Sequence, residues 1–282
     1  METPPVLEKP PEDFRPDRFE SMNPCGSGPQ VELAPGVHLD WQVGEHNQAD
    51  KLTTGIVRFE PGSLLPYHTH PCSESITVLE GELLVLVEER EYRLGPIDNV
   101  TIPAGLPHSS RPAGDGAARA HVALAAASPG RDLVDFDTPP VSMPANTATH
   151  DRGERATFVA DADQYSPGPN ASFIDYFNAE LMPGLEMSGG YGRFGPKGRL
   201  PAHIHDFDES ICIIEGDATC LVEGREYQMD GCCAALQPRG RVHYFVNRSP
   251  DFMAMIWVYA GPMPERILVR EECGSVPGEA WG

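Results

Sequence analysis

Two short stretches of this sequence carry imidazole and carboxylate groups at a spacing that suits a metal ion. In each stretch two histidines are separated by one residue, and a glutamate follows four residues after the second histidine. Side chains two and four residues apart project from the same face of a β-strand, so these groups would converge on one point. A fourth candidate, a histidine, follows each stretch after a turn that proline and glycine favour. The predicted metal ligands are His68, His70, Glu74 and His108 in the first copy, and His203, His205, Glu209 and His243 in the second.

Three imidazoles and one carboxylate form a borderline ligand set without a thiolate. Such a set suits Fe(II), Mn(II), Co(II) or Ni(II), and Zn(II) is compatible with it. Four protein ligands on an octahedral ion leave two positions for water, substrate or O2, which favours a reactive site over a closed structural one. The sequence therefore predicts up to two divalent transition metal ions per chain, with Fe(II) favoured. It identifies no residues for an organic cofactor and no catalytic residue beyond the ligands.

The two stretches belong to a longer internal repeat with an offset of 135 residues. From Arg58 to His108 the repeat needs no gap, and 21 of the 51 aligned positions are identical. The identical positions include the tripeptide Arg-Glu-Tyr at 90–92 and 225–227. Duplication of one folding unit explains this agreement, and chance does not.

The repeated residues resemble the two characteristic motifs of the cupin family. The first motif, G-x5-H-x-H-x3-E-x6-G, is matched from Gly62 to Gly81, whereas Gly198 of the second half lies one residue closer to its histidine than the motif requires. The second motif, G-x5-P-x-G-x2-H-x3-N, ends correctly at Asn247, but the first half has Pro112 there, and the spacing before the proline differs in both copies. The resemblance implies an all-β fold of two tandem cupin-type jelly-roll β-barrels, a bicupin.

Composition and the repeat together predict the domain organisation. The 29 prolines and 28 glycines suit short strands joined by tight turns, with almost no helix. Residues 76–95 are expected to form a hairpin with its first turn at Gly81. Because the halves repeat one unit, the barrels are expected to pack face to face like a single-cupin dimer. The predicted segments are a Pro-rich extended N-terminal arm at 1–30, an N-terminal barrel at 31–127, a connector at 128–168 that packs along or between the barrels, and a C-terminal barrel at 169–282.

Charge and cysteine usage limit the classes of partner and compartment. The formal charge of −21, from 42 acidic and 21 basic residues, repels phosphate backbones and argues against nucleic-acid binding. Seven cysteines without a regular framework, and no leader-like start, favour a reducing cytoplasm. No apolar run approaches the roughly 20 residues of a membrane span. We expect a small-molecule substrate as partner, neither nucleic acid nor membrane, and a sequence compatible with a homo-oligomer.

Other polar residues near the motifs have both a functional and a structural interpretation. Arg58 and Arg193 recur at the repeat offset and could bind an anionic substrate or face outward. Cys72 shares the strand parity of the ligands, but its counterpart is Phe207, so a small buried side chain is the simpler interpretation. Asp208 could serve as a base or support a ligand, yet its parity turns it away and predicts a solvated loop charge.

The resemblance implies a choice among several cupin activities. Bicupins include dioxygenases that cleave flavonols or other oxygenated rings, manganese decarboxylases, isomerases, lyases and non-enzymatic storage or sensor proteins, and fold alone does not choose among them. The leading hypothesis is a metal-dependent enzyme, an Fe(II)-type dioxygenase acting on a small oxygenated organic substrate that chelates the metal. The alternatives are a non-redox decarboxylase, isomerase or lyase, and a metal-organised ligand-binding or sensor module.

Overall fold

The computed structural model describes residues 5–270 as strands joined by tight turns. Helical structure in these residues amounts to two single-turn 3-10 helices, Glu12–Phe14 and Glu45–Asn47. The abundant prolines and glycines account for this, because proline removes a backbone hydrogen-bond donor and glycine has a high conformational-entropy cost in a helix. Within residues 5–270, no helix is both long and apolar enough to cross a bilayer.

The first half forms a jelly-roll barrel from two sheets. In chain order the strands up to residue 157 are β1 (Ser21–Asn23), β2 (Gln30–Ala34), β3 (Val37–Val43), β4 (Thr53–Phe59), β5 (Leu65–Thr69), β6 (Glu74–Glu80), β7 (Leu83–Val87), β8 (Arg90–Leu94), β9 (Asn99–Ile102), β10 (His108–Pro112), β11 (Ala118–Leu124), β12 (Asp132–Leu133), β13 (Val141–Ser142), β14 (Ala148–Thr149) and β15 (Arg155–Thr157). One sheet has the order β14-β15-β9-β6-β11-β4-β3-β2 and the other β12-β5-β10-β7-β8-β13.

The second half repeats this plan with fewer peripheral strands. Its strands are β16 (Ala171–Phe177), β17 (Ser188–Phe194), β18 (His203–Ile204), β19 (Glu209–Glu215), β20 (Ala218–Val222), β21 (Arg225–Met229), β22 (Ala234–Gln237), β23 (His243–Val246), β24 (Met253–Tyr259) and β25 (Ile267–Leu268). The sheets have the orders β1-β22-β19-β24-β17-β16 and β21-β20-β23-β18-β25. The predicted all-β fold with two tandem barrels is confirmed.

One local expectation was wrong. Strands β6 and β7 do not pair with each other: β6 lies between β9 and β11, whereas β7 lies between β8 and β10 in the other sheet. The turn at Gly81, with a φ of +71°, therefore carries the chain from one sheet to the other. A Cβ atom at this glycine would lie 2.5 Å from the carbonyl oxygen of Ala117, so the turn needs glycine for space as well. Only the β7–β8 part of residues 76–95 is a hairpin.

The two halves exchange a short strand. Strand β1 precedes the first barrel in the chain but pairs with β22 of the second, with Ser21 opposite Leu236. Strand β15 precedes the second barrel but pairs with β9 of the first, with Arg155 opposite Thr101. Because Thr101 and Leu236 are equivalent at the 135-residue offset, the two exchanges are reciprocal. The single chain thus reproduces the arm exchange of a symmetric dimer.

A buried carboxylate fastens β15 to the first barrel. Glu154 lies directly before β15 and is fully buried. It accepts hydrogen bonds from the Arg90 Nε and, at 2.8 Å, from the Tyr92 hydroxyl. Both donors belong to the repeated Arg-Glu-Tyr tripeptide of the first half.

Glu20 fastens β1 to the second barrel in the same way. It lies directly before β1 and accepts hydrogen bonds from Arg225 Nε at 2.6 Å and from the Tyr227 hydroxyl at 2.8 Å. The repeated tripeptide therefore serves to hold an exchanged strand. The structural repeat reaches upstream to Glu20 and Glu154, which end the matching segments Asp-Arg-Phe-Glu at 17–20 and Asp-Arg-Gly-Glu at 151–154.

The two barrels meet through apolar clusters that contain side chains of both halves. Thr54 and Ser210 share a buried hydrogen bond of 2.8 Å across this boundary. The boundary clusters include Leu52, Ala123, Tyr176, Met187 and Ile256 at one place, and Val43, Ile56, Cys212 and Leu236 at another.

We propose to keep the predicted division into arm, barrel, connector and barrel, with β1 and β15 assigned to the barrels they join.

Candidate metal centres

Strand pairing brings the candidate ligands of each half together. In the first half, His108 opens β10 and lies directly opposite His68 of β5, while Glu74 opens β6. In the second half, His203 opens β18 and lies directly opposite His243 of β23. The turns at Gly105 and Gly240 place the fourth residue, as the sequence predicted, at the start of a neighbouring strand.

The structure brings all eight predicted residues into two clusters, one in each barrel. The ligand-type atoms of each cluster lie within 4.8 Å of one another. An ion with ligand bonds of about 2 Å joins atoms up to about 4 Å apart, so small side-chain movements would close either cluster around one ion. The clusters are His68, His70, Glu74 and His108, and His203, His205, Glu209 and His243, and all eight residues are buried.

Backbone carbonyl groups orient the imidazoles of the first cluster. The Nδ1 atoms of His68, His70 and His108 lie 2.8, 2.6 and 2.8 Å from the carbonyl oxygens of residues 66, 130 and 106. Carbonyl oxygens only accept hydrogen bonds, so each Nδ1 carries the proton and donates it. The Nε2 atoms then face the centre and are the atoms that would bind an ion, as in metal-ligating histidines. The three histidines of the second cluster follow the same rule, with Nδ1 contacts of 2.5–2.9 Å to carbonyl oxygens.

The carboxylates are ionised, and His68 and His203 are neutral. Burial raises the pKa of Glu74, but His70 and His108 outweigh it and lower that pKa to about 2. Burial, with His108 adding to it, lowers the pKa of His68 to about 4. Burial likewise holds the pKa of His203 well below its usual value. Ionised carboxylate and neutral imidazole are the protonation states that bind a divalent cation.

The donor set and one unpaired atom fit a divalent transition metal. In the second cluster the Nε2 of His203 is buried without any hydrogen-bond partner. A buried polar atom of this kind carries a free-energy cost that a metal bond would remove. In the first cluster, Glu74 Oε2 lies 2.7 Å from His108 Nε2, so the two atoms share a proton whose place an ion can take. The predicted divalent metal is therefore supported, without its identity.

A cavity of about 270 Å³ reaches the first cluster. Its wall is mainly aliphatic and aromatic, and its polar members beyond the cluster are Ser110 and Arg131. The volume is slightly below the roughly 300–1,000 Å³ of sites for drug-sized ligands, which suits a small molecule. The residues around the cavity include Val31, Leu33, Trp41, Val57, Phe59, Leu65, Ile76, Val122, Leu124 and Pro129.

Larger side chains enclose the second cluster. The ring of Phe207 lies parallel to that of His205 with centroids 5.2 Å apart, and the Tyr259 ring lies 5.1 Å from the same histidine. The equivalent first-half residues are the smaller Cys72 and Leu124. The four second-cluster residues are accordingly only 0–3% exposed, against 2–8% in the first cluster. The two centres therefore differ in access, although their ligands are the same.

The remaining sequence candidates have structural positions. Arg58 and Arg193 are exposed on the outer faces of their strands, away from both clusters. The interpretation of Asp208 as a solvated charge was wrong: it is 2% exposed and binds Arg18 at 2.7 Å and the Asp50 amide at 2.7 Å. Parity correctly turned this carboxylate away from the metal, but the arm and the first half cover it.

Sequence reasoning missed Arg131, a charged residue in the wall of the first cavity. It recurs as Arg266 at the 135-residue offset, and this recurrence was the available signal. The two arginines lie directly before β12 and β25, which pair with β5 and β18 in the same register. Their equivalence is therefore structural as well as sequential.

Two jelly-roll barrels, each with a buried cluster of three histidines and one glutamate, define a two-domain metal-binding cupin architecture. A family model described as a cupin domain matches residues 55–124 and 190–259, one stretch in each barrel. The chain belongs to the cupin superfamily, and because both halves match, it is a bicupin.

Curated relatives match parts of the chain. It is 39% identical over 64 residues to dimethylsulfoniopropionate lyase DddQ of Ruegeria pomeroyi, covering 22% of this chain and 32% of that protein. It is 32% identical over 108 residues to germin-like protein subfamily 3 member 3 of Arabidopsis thaliana, covering 36% and 49%. The chain thus spans about a third to a half of the length of these relatives.

Similar solved structures cover nearly the whole chain at low identity. An oxalate decarboxylase of Lactobacillus farciminis, in complex with formate, has a TM-score of 0.70 at 13% identity over 92% of this chain and 91% of that one. A variant of salicylate 1,2-dioxygenase from Pseudoaminobacter salicylatoxidans has a TM-score of 0.60 at 13% identity over 78% and 76%. These likenesses support the fold.

Proposed function

We propose that the first-half cluster holds a divalent transition metal and is the reaction centre of an enzyme that acts on a small oxygenated organic molecule. The observation that carries this proposal is the cavity of about 270 Å³ that ends at His68, His70 and Glu74. Four protein ligands leave coordination positions open on an octahedral ion, and the cavity gives a small substrate access to them.

The second-half cluster is proposed to hold a metal with a structural role. Phe207 and Tyr259 occupy the space beside its ligands, and Tyr259 interacts electrostatically with Glu209. Such enclosure leaves little room for a substrate beside the ion. A bound metal there would stabilise the second barrel by mass action, because the unfolded chain has no preformed site.

For the reaction, an Fe(II) dioxygenase is the leading proposal. Among the described residues that line the first cavity, the only imidazoles and carboxylate are those of the cluster itself. The chain therefore offers no separate acid or base at this wall for proton transfer to a substrate carbon. Iron, when bound, would supply the redox chemistry that activates O2. Incorporation of both oxygen atoms into the substrate would need no external reductant.

A non-redox lyase or decarboxylase is the second candidate, and one observation favours it. The stretch of 39% identity over 64 residues is shared with a lyase, and the oxalate decarboxylase fold aligns with most of the chain. In this case the metal would stabilise negative charge on an enolate-like substrate, without O2.

Oxygen consumption separates the two candidates. Tag-free protein would be loaded with Fe(II) under anaerobic conditions and mixed with a panel of catechols, enols and hydroxy acids. The dioxygenase predicts O2 uptake with a subset of the panel, loss of that uptake in His70→Ala and retention in His205→Ala. Product formation at the same rate without O2 would instead establish the non-redox candidate. Absence of turnover in both atmospheres would contradict an enzymatic function for this panel and favour a binding or sensor module.

The cellular location stays a proposal. The cytoplasm is supported by six free cysteines among the described residues, five of them buried. Formation of a homo-oligomer is likewise a proposal that the sequence leaves open.

A further inference from the structure

We propose that Arg131 anchors the carboxylate of the substrate, so that the first cavity selects small monocarboxylates with an apolar body. This inference rests on the proposed function, since it assigns the substrate class of the same site. It is carried by the contacts of Arg131 and by a comparison with the equivalent arginine of the second half.

One edge of the Arg131 guanidinium is fixed and the other is unused. Nη2 donates a hydrogen bond to the carbonyl oxygen of Leu33 at 3.0 Å. Nη1 is buried and has no hydrogen-bond partner, and no salt bridge joins Arg131 to a carboxylate within residues 5–270. A buried guanidinium N–H without an acceptor costs free energy, which an anionic ligand would recover.

The residue that precedes Arg131 contacts the metal cluster. The carbonyl oxygen of the preceding residue, Gly130, accepts the hydrogen bond from Nδ1 of His70 at 2.6 Å. Both Arg131 and His70 line the same cavity. A small molecule held by the guanidinium would therefore have its other end at the open side of the cluster.

The equivalent arginine of the second half has partners within the protein. The hydroxyl of Tyr165 donates to Asp175 Oδ1 at 2.8 Å and interacts electrostatically with Arg266. Asp175 interacts electrostatically with Arg266 as well. The second half thus places its own carboxylate within electrostatic range of the arginine.

The first half has lost this internal carboxylate. Trp41 lies opposite Gly55 in the β3–β4 pair, in the place that Asp175 takes opposite Gly190 in the β16–β17 pair. An indole has replaced the acid, and it lines the cavity. The repeated arginine therefore faces a space where its protein counter-ion is missing.

The tyrosine partner is absent from the first half too. Val31 lies opposite Leu39, in the place that Tyr165 takes opposite Phe173. Valine is smaller than tyrosine and adds to the apolar wall of the cavity, which also includes Leu39 and Leu124. A carboxylate presents the two acceptors that match a guanidinium edge, and an apolar body suits the rest of the wall. In a chain with a formal charge of −21, this local positive group also offsets the repulsion that an anion would meet.

Binding of benzoate and of its neutral analogue benzamide tests the proposal, with hexanoate and acetate as further probes. Affinities would be measured by isothermal titration calorimetry on full-length protein loaded with Mn(II), without any turnover. The Arg131→Gln substitution is expected to weaken benzoate binding about 10- to 100-fold, the value of a charge-assisted hydrogen-bonded pair, and to leave benzamide binding unchanged. Arg131→Lys keeps the positive charge but not the planar two-donor edge of the guanidinium. Its benzoate affinity is expected to lie between those of wild type and Arg131→Gln.

Two matched controls remove the same charge elsewhere. Arg266→Gln changes the equivalent arginine and Arg58→Gln an exposed one, and both are expected to keep the wild-type benzoate affinity within about twofold. Equal benzoate affinity in wild type and Arg131→Gln, or no carboxylate binding to the wild type, would overturn the proposal. Because binding is measured apart from turnover, carboxylate binding that depends on Arg131 in a protein without activity would contradict the proposed function alone.

Discussion

The exchanged strand β15 is expected to depend on the buried carboxylate of Glu154. Its side chain is completely buried, and its Oε1 accepts hydrogen bonds from Arg90 Nε and the Tyr92 hydroxyl. The substitution Glu154→Gln keeps the volume but removes the negative charge. Since hydrogen bonds to charged groups are worth about 1.5–3 kcal/mol and one neutral bond can persist, the expected loss in free energy of unfolding is about 2 kcal/mol.

This magnitude is limited because Arg90 keeps other partners. Its guanidinium also lies 3.1 Å from Glu88 and 3.6 Å from Glu89, so the charge is not left alone. Removal of every partner of a buried charge would cost more, about 3–5 kcal/mol. For a chain of this size, about 2 kcal/mol corresponds to a fall in Tm of roughly 4–8 °C.

Differential scanning calorimetry in excess chelator would measure this fall without a contribution from bound metal. Glu89→Gln is the matched control, because it removes the same charge from the same arginine at a side chain that is 41% exposed. Exposed ion pairs contribute about 0–1 kcal/mol, so its Tm is expected to fall by less than half as much. A Glu154→Gln variant as stable as Glu89→Gln would refute the assigned role of the buried carboxylate.

Three further results are expected. Burial raises the pKa of Glu20, but its bonds to Arg225 and Tyr227 outweigh burial and lower it below the usual range. Its stabilising contribution is therefore complete above the unfolded pKa of about 4.3 and is lost as the pH falls through the lower folded pKa. In melting curves across pH, the Tm difference between wild type and Glu20→Gln should accordingly be largest above about pH 5 and should disappear at acidic pH. A Tm difference that stays constant across pH would contradict this. The substitution Cys72→Phe should place a ring on His70, as the matching phenylalanine does in the second half, and weaken benzoate binding at least about tenfold while metal content stays unchanged. Removal of metal by dialysis against chelator should lower Tm, and metal at about 100 times its Kd should restore about 2.7 kcal/mol per site; identical melting of the apo and metal-loaded proteins would exclude tight binding.

The candidate site could be predicted because its signal is local and occurs twice. The spacing of His68, His70 and Glu74 fixes a common strand face, and the same spacing at 203–209 made a chance match improbable. Alternation along a strand is a short-range property, so no tertiary information was needed for it. The fourth histidine was indicated by the proline and glycine turn before it and by its recurrence at the same offset.

What escaped prediction depends on pairing between distant parts of the chain. Strand β1 is three residues long, so it carries no readable period, and nothing near Ser21 indicates that it joins a strand more than 200 residues away. The alternating pattern around Gly81 is the same for a hairpin and for a crossing between sheets. Asp208 is buried because Arg18, from the arm, and Asp50, from the first half, cover it.

The access of a small molecule to each centre could also not be predicted from local sequence. The two ligand sets are equivalent, and only the neighbours brought by folding distinguish them. Trp41 and Val31 come from strands that precede the motif by more than 20 residues, and their equivalence to an aspartate and a tyrosine emerges from strand register. The difference between an open and an enclosed centre therefore required the structure.

Metal content is the measurement that tests the central claim most directly. Elemental analysis would be performed on protein purified without a histidine tag or chelator, as wild type, His70→Ala and His205→Ala. Two buried clusters with the same donor set predict two equivalents of a divalent transition metal in the wild type and one in each variant, with the loss confined to the mutated half. Wild-type protein that stays free of metal even after incubation with Fe(II), Mn(II), Ni(II) and Zn(II), or a His70→Ala variant that retains two equivalents, would contradict the claim.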